Sequence, residues 1–155
     1  MSSNLYRNIL IATDGSENSI KAISCGIEIA KLSGATIHAI HVVDTPPVIS
    51  EVWTAGKDMI YEMMISDGKK IISNAKKIIE DSGVEVREVL LYGHPSEEII
   101  KFAENNNMDL IVIGTLGKTG LERFLMGSVA EKVVRYSKVP VMVVRNGKEK
   151  LILRY

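Results

Sequence analysis

The chain has little cysteine, no net charge and no apolar run long enough to cross a membrane. Cys25 is the only cysteine among 155 residues, so no intramolecular disulfide can form, which favours a reducing compartment. The 19 basic residues balance 19 acidic ones, so no excess charge favours nucleic acid or an anionic membrane surface. No window resembles the roughly 18 apolar residues of a membrane span. We therefore expect a cytoplasmic protein without nucleic-acid or membrane partners.

The apolar content predicts one globular domain of the α/β class. Apolar residues make up 46% of the chain, enough to fill a core without disulfides or metal ions. Short apolar segments alternate with segments of helical periodicity. Because the strand segments are apolar throughout, we expect parallel strands buried between two layers of helices. The predicted strands are 8–13, 35–43, 84–91, 109–113 and 140–144. The predicted helices are 20–30, 60–79 with a candidate kink or interruption at Gly68, 96–105, and one from Ser128.

The carboxyl ends of the strands are where a ligand site is expected. In open parallel sheets, ligands bind beyond these ends, at the point where the winding of the chain reverses. This rule selects Thr13 and Asp14 after strand one, Val42 to Asp44 at the end of strand two, and the residues from Gly114 onward after strand four. By itself, Asp14 reads equally well as a turn residue before Ser16.

A segment rich in glycine and serine follows strand four and leads into a helix. Glycines allow a ligand to approach the backbone closely and permit positive φ. Ser128 and Glu131 have the spacing of a capping box, so we expect residues 127–129 to present N–H groups at a positive helix end, where phosphate binds readily. The alternative is that the glycines only form turns and Ser128 only caps its helix.

Two other kinds of site are not supported by the spacing. The sequence Gly117-Lys118-Thr119 resembles the end of a P-loop, but Val112 stands where the first P-loop glycine is required. The three histidines, His38, His41 and His94, do not have the spacing of a metal site, so we predict packing or hydrogen-bonding roles for them.

Three methionines precede the apolar stripe of the second helix. We predict that Met59, Met63 and Met64 pack within the protein, and the alternative is a surface for a partner.

The glycine spacing carries a family resemblance. Gly114, Gly117, Gly127 and Ser128 form the pattern Gly-x2-Gly-x9-Gly-Ser, which resembles the nucleotide motif of the ATP-binding branch of the universal stress protein family. The resemblance runs from NILIATDGS through GHP and MDLIVIG to YSKVPVMVV. It implies a universal stress protein domain over residues 1–146, with a Rossmann-like sheet in the order 3-2-1-4-5. It also implies a homodimer formed through strand five, with the tail 147–155 at the interface.

The resemblance further implies that ATP binds between strands one and four. Lys118 and Arg123 either touch phosphate or are solvated, and Leu116 departs from the basic or polar residue common at its position. A Mg²⁺ or Mn²⁺ ion would be held mainly by phosphate oxygens. The implied roles are Ala12, Thr13 and Asp14 beside the nucleoside, the backbone of Val42 at the adenine edge, Gly114 and Thr115 at the end of strand four, and Gly117, Gly127, Ser128 and Val129 at the phosphates.

These features favour an ATP-binding regulatory or stress-response dimer with slow or no hydrolysis. Asp14 is the only carboxylate that the resemblance implies beside the nucleotide, and its expected position is at the nucleoside. We therefore predict no catalytic residue. The alternatives are a slow ATPase or transferase, and an interaction scaffold that does not depend on nucleotide.

Overall fold

The chain folds into a five-stranded sheet with four helices, as seen in a computed structural model that describes residues 5–45, 55–115 and 126–145. The predicted loop over 45–53 lies almost wholly outside these residues, as do Leu116, Gly117, Lys118, Arg123 and the tail 147–155. In chain order the elements are β1 (Asn8–Ala12), α1 (Glu17–Ser33), β2 (Thr36–Asp44), α2 (Ala55–Asp81), β3 (Val86–Gly93), α3 (Pro95–Asn105), β4 (Leu110–Gly114), α4 (Ser128–Tyr136) and β5 (Val141–Val144).

The sheet is parallel, with the strand order β3-β2-β1-β4-β5. This confirms the order implied by the family resemblance. The chain winds outward from β1 to β3 in one direction and then from β4 to β5 in the other, so the winding reverses between β1 and β4. A crevice therefore opens at the carboxyl ends of these two strands.

The two faces of the sheet carry separate hydrophobic clusters, because successive residues of a strand point to opposite faces. On one face, Ile9, Ile11 and Ile37 pack against α1 and α2. On the other face, Leu10 and Ile40 pack against α3 and α4. The strands β1, β2 and β4 are thus buried on both sides, as predicted. The outer strands β3 and β5 are only partly buried, so the prediction does not hold for them. No helix among the described residues is long and apolar enough to span a bilayer.

The second helix is longer than predicted and is continuous through Gly68. A Cβ atom at Gly68 would lie 3.1 Å from both His41 Cδ2 and Val43 Cγ2. This glycine therefore permits close packing of α2 on β2, and the helix is not interrupted at Gly68.

The first turns of α2 leave their methionines in solvent. Met59 is 65% exposed and Met63 is 60% exposed, so the prediction that they pack is wrong, whereas Met64 is partly buried. The reason is length: the 27 residues of α2 span about 40 Å, and the nine residues of β2 span about 30 Å. From Met59 onward, the buried residues of α2 accordingly lie in its second half, at Gly68, Ile72, Ala75 and Ile79.

Candidate functional site

A cavity of about 270 Å³ opens at the point where the winding of the sheet reverses. This volume is near the lower end of the range for small-molecule sites, so the cavity is large enough for one small ligand. Its walls come from the ends of β1, β2 and β4 and from the beginnings of α1, α3 and α4. Isoleucine and valine side chains supply an apolar surface, and hydroxyl groups and helix-end N–H groups supply the polar one.

The residues expected at the site converge on this cavity. Gly117 lies outside the described residues. The other nine line the cavity and are Ala12, Thr13, Asp14, Val42, Gly114, Thr115, Gly127, Ser128 and Val129. They come from three strand ends and one helix start, separated by up to 117 residues of sequence between Ala12 and Val129. Only the parallel sheet brings them together.

The turn after β1 is held by side-chain hydrogen bonds. The Thr13 hydroxyl is buried and donates to the Ser19 hydroxyl at 3.0 Å. Asp14 Oδ1 accepts a hydrogen bond from the Ser16 N–H at 2.9 Å, and Gly15 has a φ of 80°. The carboxylate of Asp14 therefore has the turn role that the sequence allowed, and it also lines the cavity.

The start of α4 differs from the capping box that was predicted. Ser128 is the first helical residue, Gly127 is the N-cap, and no side chain caps this helix. Glu131 instead bonds to Arg135 at 2.8 Å. The capping-box prediction is wrong because the helix begins one residue earlier than the motif requires. As a consequence, the exposed Ser128 hydroxyl is not committed to a cap bond.

The first turn of α4 presents backbone N–H groups that the helix itself does not pair. The first N–H groups of a helix have no partner within it. The Glu131 N–H donates to the Gly127 carbonyl at 2.9 Å, so the groups without a helical partner are those of the preceding turn. Gly127 is different, because its N–H donates to the Thr115 carbonyl. The partial positive charge of the helix end thus falls on Ser128 and Val129, which line the cavity.

The glycine at the end of β4 has a packing role that the sequence did not indicate. Neither Gly114 nor Gly127 has a positive φ, so the positive-φ interpretation is wrong for both. A Cβ atom at Gly114 would lie 3.0 Å from the carbonyl carbon and oxygen of Asn18. Glycine at this position therefore allows α1 to approach the end of β4 at the edge of the cavity.

Several cavity residues escaped the sequence analysis. Ser19 comes from the first turn of α1, and Pro95 and Ile99 come from α3. The rule that selects residues after strands was applied to strands one, two and four. Applied also to strand three, it would have pointed to Pro95. Ser19 could have been found from its position one turn after the N-cap Ser16.

The histidines behave as hydrogen-bonding residues in two of three cases. His41 Nδ1 lies 2.8 Å from the Thr13 carbonyl oxygen, and His38 Nε2 lies 3.3 Å from Asn8 Oδ1. Burial, and then the positive charge of Arg87, lower the pKa of His38 below 6.5. His94 is the N-cap of α3 without a side-chain cap bond.

The described part of the chain contains no group of three side chains suited to hold a metal ion.

Sequence comparison relates the chain to proteins of known family. The model of the universal stress protein family matches residues 5–145. Universal stress protein MJ0531 of Methanocaldococcus jannaschii is 43% identical over 146 residues, which cover 94% of this chain and 86% of that protein. Universal stress protein YxiE of Bacillus subtilis is 32% identical and is covered over its whole length.

Comparison with solved structures gives the same relationship. The protein MJ0577 of Methanocaldococcus jannaschii superposes with a TM-score of 0.81 at 32% identity, covering 94% of this chain and 99% of the other. A universal stress protein of Archaeoglobus fulgidus in complex with dAMP has a TM-score of 0.66 at 26% identity, covering 90% and 98% of the two chains. A universal stress protein in complex with cAMP has a TM-score of 0.65 at 26% identity, covering 90% and 96%.

Proposed function

Because the chain belongs to the universal stress protein family, we propose that it is an ATP-binding regulatory protein that acts as a homodimer, with slow or no hydrolysis. What supports ATP as the ligand is a single cavity that combines an apolar slot at the ends of β1 and β2 with the positive end of α4. The apolar slot suits an adenine ring, and the positive end of α4 suits a phosphate chain.

The phosphate end of the proposed site is the start of α4. The N–H groups of Ser128 and Val129 and the Ser128 hydroxyl are the donors, since the N–H of Gly127 is already bonded to Thr115. Gly127 contributes by its lack of a side chain, which leaves space for an oxyanion beside the helix end. Gly114, Thr115 and Gly117 complete this end of the proposed site.

The nucleoside end is formed by Ala12, Thr13, Asp14 and the backbone of Val42. The Ile40 carbonyl accepts a hydrogen bond from the Thr13 N–H at 2.9 Å, so Ile40 turns its backbone groups toward β1. Alternate residues of a strand turn these groups to the same side. Val42 therefore turns its N–H and carbonyl toward the cavity, beyond the end of β1 at Ala12. A neighbouring donor and acceptor of this kind match the edge of an adenine base.

The solved relatives support an adenine nucleotide as the ligand class, since two of them are complexes with dAMP and cAMP. A Mg²⁺ or Mn²⁺ ion would be held by the phosphate oxygens, which hard cations prefer. No group of three metal-ligating side chains lies among the described residues.

The dimer and the compartment are also part of the proposal. β5 is an outer strand of the sheet, and Met142 on it is 39% exposed. A second copy that pairs with this edge would cover both the backbone groups and the methionine. The single cysteine is consistent with a role in the cytoplasm.

The direct test is calorimetric titration of Mg-ATP into the wild-type protein and two variants. Ser128→Ala removes a hydrogen bond to a charged group, so we expect binding to weaken by about 1.5–3 kcal/mol. Gly127→Val should weaken binding more, because its side chain occupies the space beside the helix end. Ser24→Ala is the matched control, since the Ser24 hydroxyl is exposed on α1 and bonds to the Ile20 carbonyl, away from the cavity.

The same samples distinguish the alternatives. Unchanged affinity in both α4 variants would refute the proposed phosphate site. A wild-type protein that binds no Mg-ATP would favour the scaffold function, and rapid release of inorganic phosphate would favour an ATPase. Light scattering with and without ATP tests the homodimer, and a monomer under both conditions would contradict it.

A further inference from the structure

The hydrogen-bond ladder between β1 and β2 stops one rung before the cavity. Its last paired residues are Ala12 and Ile40. Continuing the same register places Thr13 opposite His41, and the next bond of a parallel ladder would run from the Val42 N–H to the Thr13 carbonyl. Within the described strands this bond is not formed, although the preceding bond from the Thr13 N–H is present at 2.9 Å.

The Thr13 carbonyl instead accepts a hydrogen bond from the side chain of His41. His41 Nδ1 lies 2.8 Å from this oxygen. A carbonyl oxygen only accepts, so Nδ1 carries the hydrogen and donates it. The ring is packed against α2, because a Cβ atom at Gly68 would lie only 3.1 Å from His41 Cδ2. The fold therefore holds the imidazole where it can make this bond.

This arrangement affects Val42 directly. Its N–H and carbonyl are turned toward the cavity, and the Thr13 carbonyl is the acceptor that the sheet register would offer to that N–H. Within the described strands the Val42 N–H makes no bond to this carbonyl, so it is available to a ligand. An N–H donor beside a carbonyl acceptor complements adenine, which presents a ring-nitrogen acceptor beside an amine donor on its Watson–Crick edge.

We propose that His41 is a positioning residue for nucleotide selection: its imidazole bonds to the Thr13 carbonyl and thereby keeps the Val42 N–H free for the base. This inference rests on the proposed function, since it assigns His41 a part in the same site. When the imidazole is removed, the sheet register offers the Val42 N–H to the Thr13 carbonyl. The ladder then extends by one rung and the base loses a donor.

Three substitutions separate this role from simple packing. His41→Leu removes the donor and retains a side chain of moderate size. His41→Asn places an amide nitrogen close to the position of Nδ1, so it should restore the bond. His41→Gln is polar but carries its amide nitrogen closer to the position of Nε2, so we expect it to behave like the Leu variant.

The first measurement is hydrogen exchange of the Val42 amide, monitored by NMR in the absence of nucleotide. We expect fast exchange in the wild type and in His41→Asn. In His41→Leu and His41→Gln we expect exchange slower by about tenfold, the effect of one new hydrogen bond. A Val42 amide that is already protected in the wild type, or that exchanges equally in all four proteins, overturns the proposal.

The second measurement compares ATP with inorganic tripolyphosphate, which has no base. We expect His41→Leu and His41→Gln to bind ATP about five- to tenfold more weakly, and His41→Asn to stay within about twofold of the wild type. Tripolyphosphate should bind all four proteins equally. Equal losses for ATP and tripolyphosphate would show a general disturbance and overturn the positioning role.

The two measurements also separate this inference from the function on which it rests. If the wild type does not bind ATP, the proposed function fails, and the exchange of the Val42 amide still tests whether His41 blocks the next rung. If the wild type binds ATP and the Leu, Gln and Asn variants bind it with the same affinity, the proposed function stands and the role of His41 is wrong.

Discussion

A methyl group added at Gly114 is expected to disturb both the fold and the proposed nucleotide site. It would lie 3.0 Å from the carbonyl carbon and oxygen of Asn18 and 3.2 Å from its Cβ atom. Carbon atoms pack best at about 3.5–4.0 Å, so the contact is too short by about half an ångström. The main-chain atoms of Asn18 lie in the first turn of a helix that Ser16 caps, and they cannot rotate away as a side chain can.

The expected change in stability follows from two opposing effects. Overpacking of this kind costs about 1–3 kcal/mol. Replacing glycine by alanine also lowers the entropy of the unfolded chain, which stabilises the fold by about 0.4–1 kcal/mol. The overpacking is larger, so we expect Gly114→Ala to reduce the free energy of unfolding by about 1–2 kcal/mol.

The displacement should reach the cavity through Thr115. Its N–H donates to the Val144 carbonyl at 3.0 Å, and its own carbonyl accepts from Gly127 at the start of α4. A shift at Gly114 therefore moves the helix end that carries the proposed phosphate donors. We expect ATP to bind about tenfold more weakly, equivalent to weakening one hydrogen bond to a charged group.

Urea unfolding and calorimetric titration with Mg-ATP measure these two effects. The control is Gly83→Ala, because Gly83 has a φ of 85° and a Cβ atom there would have no neighbour within 4 Å. The control should lose about 1–2 kcal/mol of stability through backbone strain and keep its ATP affinity. Wild-type stability together with wild-type affinity in Gly114→Ala would refute the reasoning.

Two further predictions concern residues away from the cavity. Asp109 Oδ2 accepts hydrogen bonds from the N–H groups of Arg7 and Asn8, both at 2.9 Å, so Asp109→Ala should lower the free energy of unfolding in urea by about 1–3 kcal/mol. Asp109→Asn, which keeps an acceptor, should lose less, and an equal loss would contradict this account. The pKa of His38 is lowered by burial and by Arg87, so the unfolded chain binds this proton more readily. The contribution of His38 to stability is therefore complete above pH 6.5 and decreases as the pH falls below it. His38→Gln should show a smaller decrease in this range by urea unfolding, and an identical pH profile would count against the assignment.

Much of the fold could be predicted because the strands are short segments rich in apolar residues and bounded by turn residues. The five strands and four helices were predicted in their correct order, and the family resemblance added the strand order that the structure confirms. The predictions for α2 were poorer. Periodicity marks the face of a helix that packs, but it does not indicate how far the helix extends beyond the sheet. Met59 and Met63 were therefore predicted to pack although they are exposed.

The site could be predicted in part. The residues after strands one, two and four were selected because parallel strands end at one edge of the sheet. Ser19, Pro95 and Ile99 were not selected, since they reach the cavity from helices whose beginnings face the same edge. Whether the residues that line the cavity bind ATP remains a prediction for the calorimetric experiments.

Sequence patterns are sufficient to predict which segments become strands and helices, and where glycine and serine stand relative to the strand ends. These properties depend on local patterns of apolar and turn-forming residues. Three features are known from the folded structure alone: Ser128 is the first residue of α4, Gly114 faces the backbone of Asn18, and His41 bonds to Thr13. Two of these are contacts between residues far apart in the chain, set by strand register and by the packing of helices on the sheet. The start of α4 at Ser128 depends on where the backbone first adopts helical geometry. The capping-box spacing placed this start one residue too late.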